Sequence, residues 1–513
     1  MNTDAITQPF LKSFPGDQSL STQQRQTPGF LYALVNPVGF EKAKLLDFNS
    51  SHSLEIGLGK VSKSEDVEFL NANWWPKSLS PYATAYAGHQ FGVWAGQLGD
   101  GRAIFAGQIQ NSQGAITELQ WKGAGATPYS RSADGRAVLR STLREYLMSE
   151  ALHHLGIPTT RSLSISLTGE QVWRDKLYSG QIAAEPGAVM MRTAPSFIRF
   201  GHFELLSAQG RNDLLKQLLD SLINEPKEKR DSKDDIYLNW FQQVCEKTAS
   251  LVVHWYRVGF THGVLNTDNM SALGLTIDYG PFSMLDEYSM TFTPNTTDLP
   301  GRRYAFGNQA RMVQWNLWQL ANAIAPIIED QVGLQSAVDQ FSQIFWTQYD
   351  AMMSSKLGWG SQLDEDSQLI DQWQELMQKL EIDYTLFFVC LEEYKETSQN
   401  IEVFEKAFYR RLSSNDRKEF EDFLQRYNER STLDQLSTQE SIQLMEQTNP
   451  KFILRNYLLL DCIEEIESGD YNLFERLKQA VQRPYERVEA DLMQKRPDGY
   501  EGRFGSSMLS CSS

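Results

Sequence analysis

The side chains best suited to chemistry in this chain lie within residues 261–280, which read THGVLNTDNMSALGLTIDYG. Asn269 and Asp278 offer amide and carboxylate oxygens, the hard ligands that Mg²⁺ and Mn²⁺ prefer. A divalent cation held by one or two such oxygens usually also binds the phosphates of a nucleotide. We therefore expect this segment to hold a metal ion and a triphosphate. The alternative is a polar loop whose two carboxylates are incidental.

The order of residues in this segment fits kinase-like phosphotransferases, in which a His and a base Asp precede an Asn, and an Asp-x-Gly motif follows. His262 and Asn269 fit that frame, and residues 278–280 read Asp-Tyr-Gly. The usual base position, five residues before Asn269, is occupied by Val264. Asp268 stands directly beside Asn269 instead. The metal ligands are thus present while the usual base is absent, which argues against an ordinary kinase.

A second candidate is the glycine-rich sequence GQLGDGR at residues 96–102. Gly99 and Gly101 would let backbone N–H groups approach a polyphosphate without a clash from Cβ, and Arg102 could add positive charge. The segment lies between two strand-like runs, so we expect a hairpin loop. A glycine-rich turn without any ligand is the alternative.

Lys122 ends the strand-like run ITELQWK, and Glu145 lies in the next helix-like segment, 23 residues further on. A strand Lys that is paired with a helix Glu and touches nucleotide phosphates is the arrangement of protein kinases. The spacing is compatible with such a pair. A solvent-exposed Lys122 is the alternative interpretation.

Two further groups could reach a nucleotide. Arg192 and Arg199 flank Pro195, and their forked donors could converge on phosphates, although surface ion pairs are an equally good interpretation. Asp134 and Gly135 form a turn in the sequence SRSADGR that could meet a ribose or a base. The same turn could instead cap the helix that follows it.

Strands and helices must position these residues. Segments 102–109 and 115–122 predict a β-hairpin, and segments 161–170 and 186–193 predict further strands. Helical spacing extends over 136–155, 237–258, 310–330, 332–357, 363–381, 401–428 and 472–493. This strand-rich first half and helix-rich second half predict an α+β protein, with a small sheet lobe over a helical lobe and a cleft between them.

Changes in composition and in strand-like and helix-like patterning along the sequence suggest four parts. They are an N-terminal extension at residues 1–80, a sheet lobe with the glycine-rich loop at 81–200, a helical lobe with the catalytic segment at 201–340, and a helical C-terminal extension at 341–513. The polar, charged segment 224–236 is predicted to be a surface loop or linker.

Composition excludes several classes of function. With 48 Lys and Arg against 65 Asp and Glu, the formal net charge is −17, which argues against a nucleic-acid partner. No apolar run is long enough to span a bilayer, and the N-terminus lacks the features of a signal peptide. The four Cys lie far apart and form no CxxC pair. We expect a cytoplasmic protein with reduced thiols and no membrane partner.

The chain as a whole resembles the selenoprotein O family. The matching stretches are YAGHQFGVWAGQLGDGRA, ELQWKGAGATPYSRSADGRAVLRSTLREYL, HGVLNTDNMSALGLTIDYGPFSMLDEY, NPKFILRN and the tail CSS. The resemblance implies a protein-kinase-like, two-lobed fold. It also implies AMPylation, in which AMP passes from ATP to Ser, Thr or Tyr hydroxyls of protein substrates and pyrophosphate is released. In that family ATP is flipped relative to its position in kinases, so that the α-phosphate faces the acceptor.

The resemblance also implies roles for individual positions. Asp268 is expected to be the base, Asn269 and Asp278 the metal ligands, and Glu145 the partner that supports Lys122. Nucleotide contacts are implied at Gly99, Gly101, Arg102, Lys122, Asp134, Gly135, Arg192, Arg199 and Asp278. ATP is the implied co-substrate, with Mg²⁺ or Mn²⁺ as the cofactor.

The tail departs from the family pattern. Cys511 occupies the position at which many members carry selenocysteine, which implies a possible redox role. Residues 279–310 contain no Cys, so a disulfide from the tail onto that stretch cannot form. An exposed thiol without a role is the alternative.

Two other functions compete with AMP transfer. One is transfer of UMP from UTP with Mn²⁺, and the other is a non-catalytic nucleotide-binding scaffold of the pseudokinase type. The presence of Lys122, Asn269 and Asp278 argues against the scaffold.

Overall fold

The computed structural model describes residues 1–176, 180–223, 233–397 and 399–510. Most of the predicted linker at 224–236, and Cys511 with the rest of the tail, lie outside these residues. The described strands are β1 (Gly16–Asp17), β2 (Tyr32–Leu34), β3 (Lys44–Phe48), β4 (Tyr82–Thr84), β5 (Ala87–Gln90), β6 (Val93–Gln97), β7 (Ala103–Gln110), β8 (Ile116–Lys122), β9 (Ala137–Val138), β10 (Arg161–Asp175), β11 (Ile182–Ala194), β12 (Phe260–Thr261) and β13 (Ser283–Met284).

Helices dominate the second half, as the sequence predicts. The described α-helices are α1 (Pro9–Ser13), α2 (Ser50–Glu55), α3 (Ser64–Leu70), α4 (Leu139–His154), α5 (Phe200–Ala208), α6 (Asn212–Leu222), α7 (Lys233–Val258), α8 (Gln309–Ile324), α9 (Gln331–Lys356), α10 (Asp366–Lys379), α11 (Tyr384–Glu396), α12 (Ser414–Ser431), α13 (Thr438–Thr448), α14 (Asn456–Ser468) and α15 (Asn472–Val481). The protein is therefore α+β. None of these helices has both the length and the apolar character needed to cross a lipid bilayer.

One large sheet organises the first half of the chain. Its strands lie in the order β1-β2-β4-β7-β8-β11-β10-β3, and β9 pairs with β11. Strands β1 and β2 are parallel, while the other pairs are antiparallel. The predicted hairpin is confirmed, because Ala103 of β7 lies opposite Lys122 of β8. Residues 1–80 contribute β1, β2 and β3 to this same sheet.

The glycine-rich segment is not a hairpin loop, and that prediction was wrong. Strand β6 pairs with β5 in a separate two-stranded sheet, so residues 98–102 connect the small sheet to β7 of the large one. Backbone bonds from Leu98 to Tyr86 and from Asp100 to Thr84 fix this connection. The β5–β6 hairpin is therefore separate from the large sheet and packs against other elements.

Two predicted helices were too long. The segment 401–428 contains a 3₁₀ helix, Ile401–Ala407, and then α12, whose start is capped by the Ser413 side chain accepting from the Asp416 N–H. The segment 472–493 stops at Val481 because Pro484 cannot continue a helix. Helices α1, α2, α3, α5, α6, α11, α13 and α14 were not predicted.

A single large apolar core joins the sheet to the helices. It runs from α4, through Leu143 and Leu147, across α7 and α8 to the C-terminal helices α14 and α15. A second core lies between the sheet and the N-terminal residues, around Phe40 and Trp121. Residues on both sides of the candidate site are therefore held by continuous packing.

Candidate active site

A buried ion pair connects the large sheet to α4. The Lys122 ammonium, at the end of β8, donates to Glu145 Oε2, and Arg192 Nη1 donates to Glu145 Oε1 at 2.8 Å. Burial lowers the pKa of Lys122 to about 8, although the Glu145 charge opposes that change. Burial alone would raise the pKa of Glu145, but the charges of Lys122 and Arg192 outweigh it and lower this pKa. The structure thus places Lys122 in the interior, not in solvent.

Strand register explains why these side chains meet. Gln120 and Lys122 are two residues apart on β8 and therefore point to the same face. Arg192 of β11 lies opposite Gln120, and its Nε donates to Gln120 Oε1 at 2.8 Å. Helix α4 packs on β10 and β11, which brings Glu145 over that face.

The Asp278 carboxylate is surrounded by positive charge. Burial would raise its pKa, but Lys122, Arg199, Arg102 and Arg192 together lower it to about 2. No hydrogen bond or ion pair within the described residues uses this carboxylate. Its backbone has a φ of 62°, a left-handed conformation that is uncommon outside glycine. Asp278 is therefore an ionised carboxylate without a hydrogen-bond partner among the described residues.

Asn269 and Asp268 lie on one short 3₁₀ turn, Thr267–Asn269. Asn269 Nδ2 donates to the Val264 carbonyl at 3.0 Å, which leaves its Oδ1 available as a ligand. Asp268 Oδ2 accepts from Gln90 Nε2 at 3.1 Å, whereas Oδ1 is buried without a hydrogen-bond partner. Burial raises the pKa of Asp268 to about 7, against the lowering effects of Gln90 and Arg199.

Arg199 and His262 hold the loop that carries Asp268. Arg199 Nη1 donates to the Asp268 carbonyl at 2.9 Å, and its Nη2 lies 3.9 Å from Asp100 Oδ1. His262 Nδ1 lies 3.4 Å from the Val264 N–H, and its Nε2 lies 2.8 Å from the Ile277 carbonyl. Burial lowers the pKa of His262, so the ring is neutral and Nε2 is the donor. His262 therefore links the Asp268 loop to the segment that precedes Asp278.

The glycines of the loop at 98–102 have a packing role. A Cβ on Gly99 would lie 2.5 Å from the Tyr129 ring, and one on Gly101 would lie 2.9 Å from the Tyr129 carbonyl. These glycines thus let the loop pack against residues 127–130, and Thr127 Oγ1 donates to the Asp100 carbonyl at 2.7 Å. The Arg102 guanidinium makes no hydrogen bond or ion pair to any described residue, so it is free to bind an anion.

The Asp134–Gly135 turn is separate from this cluster. Asp134 forms an ion pair with Arg174 at 2.7 Å and accepts from the Arg136 N–H at 2.9 Å. Gly135 has a φ of 67°, and a Cβ there would lie 2.2 Å from Gly125. No contact among the described residues joins this turn to Lys122 or Asp278.

Sequence reasoning missed the residues that surround Asp268. Gln90 bonds its carboxylate, and a Cβ on Gly88 would lie 2.8 Å from its Oδ1. Asp100, which accepts from Thr84 Oγ1 at 2.5 Å, faces Arg199. The polar pair His89-Gln90, between Gly88 and Phe91, was the one available signal.

The cluster has the donors that a divalent cation needs. Within the described residues no group of three His, Cys, Asp or Glu side chains could hold a metal by itself. The Asp278 carboxylate and the Asn269 Oδ1 are hard oxygens, and Mg²⁺ is commonly held by one or two carboxylates with substrate phosphates. These side chains fit a cation that is bound together with a nucleotide.

Comparisons with known proteins bear on the whole chain. Residues 19–482 match the sequence model of a family described as protein adenylyltransferase SelO. The protein nucleotidyltransferase YdiU of Cytophaga hutchinsonii is 46% identical over 512 residues, which cover 99% of this chain and 98% of that protein. Proteins of the same name from an Azoarcus species and from Tolumonas auensis are 44% and 43% identical, each over 98% of both chains. The chain therefore belongs to the SelO family of protein adenylyltransferases.

Proposed function

We propose that this enzyme transfers AMP from ATP to Ser, Thr or Tyr hydroxyls of protein substrates. The observation that carries the proposal is the combination around Asp278. The ionised Asp278 carboxylate lies among Arg102, Lys122 and their cationic neighbours. Nearby along the chain, Asn269 offers an amide oxygen, and Asp268 offers a buried, unpartnered oxygen. Triphosphate, metal ion and acceptor hydroxyl each find a suitable partner in this cluster.

The distribution of the site residues over the sheet and the helical half of the chain supports the proposal, because it suits a kinase-like arrangement. The large sheet carries Lys122, the helical half carries Asn269, and α4 supplies the Glu that pairs with Lys122. Val264 occupies the position of the usual kinase base and is buried. The carboxylate proposed to replace it is Asp268, four residues after Val264, which suits an acceptor placed differently from that of a kinase.

The proposed step is a displacement at the α-phosphorus of ATP. The acceptor hydroxyl oxygen bonds to the α-phosphorus, while the bond from that phosphorus to the oxygen that bridges to the β-phosphorus breaks. Pyrophosphate leaves with the electron pair, and the hydroxyl proton passes to Asp268. Lys122 and Arg102 neutralise charge on the phosphates, and Glu145 with Arg192 holds Lys122 in place.

A divalent cation completes the proposed site. Asn269 and Asp278 would hold Mg²⁺ or Mn²⁺, which supplies charge neutralisation to the phosphates when bound. The name shared by the relatives, nucleotidyltransferase, leaves the nucleotide open. UMP transfer from UTP is therefore the second candidate.

We infer that the reaction takes place in the cytoplasm, where ATP is abundant. The described cysteines Cys245, Cys390 and Cys462 are buried and unpaired, which suits a reducing compartment.

One labelling experiment tests the proposal. The purified chain is incubated with Mg²⁺ or Mn²⁺ and with ATP labelled at either the α- or the γ-phosphate, and label on protein is counted. We expect label from α-labelled ATP alone. Label from γ-labelled ATP would indicate a kinase, and label from neither would indicate a scaffold. A parallel incubation with α-labelled UTP tests the second donor.

A further inference from the structure

The β5–β6 hairpin lies along the loop that carries Asp268. Each residue from Gly88 to Phe91 touches that loop. Gly88 leaves no room for a Cβ beside Asp268, and the His89 N–H donates to Thr267 Oγ1 at 2.7 Å. Gln90 Nε2 donates to Asp268 Oδ2 at 3.1 Å. The strand β5 therefore follows the Asp268 loop residue by residue.

The tip of the hairpin is anchored on the same loop. The Phe91 N–H donates to Asn266 Oδ1 at 3.1 Å and to the Tyr304 hydroxyl at 3.0 Å, and that hydroxyl donates to Asn266 at 2.6 Å. Phe91 has a φ of 52° and Gly92 a φ of 82°, the geometry of a type I′ turn, which Asn-Gly usually fills. A bulky residue is strained in this conformation. The anchor on Asn266 and the ring contact with Tyr304, 5.2 Å between centroids, offset this strain.

The base of the hairpin has its own anchor. His89 Nδ1 lies 2.6 Å from Glu204 Oε1 on α5, and its ring lies 5.5 Å from that of Trp315 on α8. These contacts fix β5 to the helical half, and the large sheet makes no ladder bond to it. Gln90 is thus held by the elements that also hold the Asp268 loop.

We propose that Gln90 is a positioning residue that orients Asp268 for the acceptor hydroxyl. The hydrogen bond from Gln90 occupies Oδ2 and fixes the rotation of the carboxylate. Oδ1, which is buried and without a partner, is then the oxygen left for the incoming hydroxyl. Gln90 acts through Asp268, the residue that its side chain contacts. The inference rests on the proposed function, because it requires Asp268 to accept the hydroxyl proton.

The test is a double-mutant cycle on the initial rate of self-labelling from α-labelled ATP. Gln90→Leu removes the donor at similar volume, and we expect kcat to fall about 10- to 100-fold while the ATP KM stays within about twofold. Asp268→Ala is expected to lower kcat by on the order of 10²–10⁴. In the double variant Gln90→Leu should cost nothing beyond Asp268→Ala. Gln113→Leu, in the exposed turn between β7 and β8, is the matched control and should match the unmodified protein.

Several results would overturn the inference. The inference fails if the kcat of Gln90→Leu equals that of Gln113→Leu. It also fails if Gln90→Leu raises the ATP KM instead of lowering kcat, or if its loss of kcat adds in full to that of Asp268→Ala. If Asp268→Ala itself keeps its rate, the role of Asp268 in the proposed function fails first. Should Gln90→Leu fold poorly, Gln90→Glu keeps the shape but places a charge against Asp268, and a larger loss of kcat is expected.

Discussion

Two aspartates of the site differ in charge state because their surroundings differ. Asp278 lies among four cationic side chains, which lower its pKa to about 2, whereas burial raises the pKa of Asp268 to about 7. A carboxylate that stays ionised suits a cation, and one whose pKa lies near neutrality suits proton transfer. The proposed division of roles between metal ligand and base therefore has a physical basis in burial and charge.

Asp278→Asn tests the metal site. It keeps the shape of the side chain and removes the charge that a divalent cation needs, so the rate of self-labelling should fall by on the order of 10³. Titration with a fluorescent ATP analogue should lose its dependence on Mg²⁺ or Mn²⁺. Asp364→Asn, at an exposed position, is the control. Metal-dependent binding that persists in Asp278→Asn would remove this residue from the site.

Lys122 should make nucleotide binding depend on pH. Its pKa in the free enzyme is about 8, and the triphosphate favours the charged form, so binding above pH 8 takes up a proton. Nucleotide affinity should then fall as pH rises through this value, by up to about tenfold per pH unit. Calorimetry at pH 7 and 9, in buffers of different ionisation enthalpy, measures this proton uptake. Lys122→Met should bind more weakly and show no uptake, and an affinity independent of pH in the unmodified enzyme would contradict the assignment.

At the scale of elements, the catalytic turn depends on a strand that is distant in sequence. Strand β5 contacts Thr267 and Asp268, and its His89 side chain contacts α5 and α8. The position of Asp268 is thus set by close packing along β5 as well as by its own loop. Close contact on this side is possible because residue 88 has no side chain.

Gly88→Ala should therefore impair the reaction. The new Cβ would lie 2.8 Å from Asp268 Oδ1 and 2.9 Å from its Cβ, and Asp268 must move. We expect the rate of self-labelling to fall about 100-fold, because a displacement of a catalytic group by about 1 Å can lower a rate by that factor. Nucleotide affinity should stay nearly unchanged. Gly301→Ala is the matched control, because an added Cβ there meets nothing within 4 Å. Equal rates for the two variants would show that Asp268 tolerates displacement.

The predictable parts of this molecule are those with a local signal. Lys122 and Glu145 lie on a strand and on the next helix along the chain, and the order and spacing of these two segments fit a known kinase pattern. The contact of Gln90 with Asp268 joins residues 178 apart and depends on the β5–β6 hairpin leaving the large sheet, which no periodicity reveals. Likewise nothing near Asp134 indicates that Arg174 binds it. Long-range polar contacts require the fold before they can be predicted.

At the scale of the whole molecule, the C-terminal residues are tied to the catalytic half. Leu509 is fully buried, its N–H donates to the Pro294 carbonyl at 3.0 Å, and its carbonyl accepts from Thr296 at 2.7 Å. Asn456 of α14 donates to the Ser506 carbonyl at 2.8 Å and accepts from Arg144 of α4 at 3.3 Å. The end of the described chain thus reaches the helix that carries Glu145.

Removing residues 504–513 should loosen the segment after the Asp-Tyr-Gly motif. The Thr296 N–H loses its acceptor, and the buried Leu509 side chain, whose burial contributes about 2 kcal/mol, is lost. We expect faster amide hydrogen exchange at residues 294–298 and a melting temperature lower by a few degrees. Removal of residues 511–513 alone is the control, since the two deletions differ only in residues 504–510. If amide exchange at Thr296 is equally slow after both deletions, the Thr296–Leu509 hydrogen bond contributes nothing to its protection. Residues 294–298 would then hold their conformation without the chain end, contrary to this prediction.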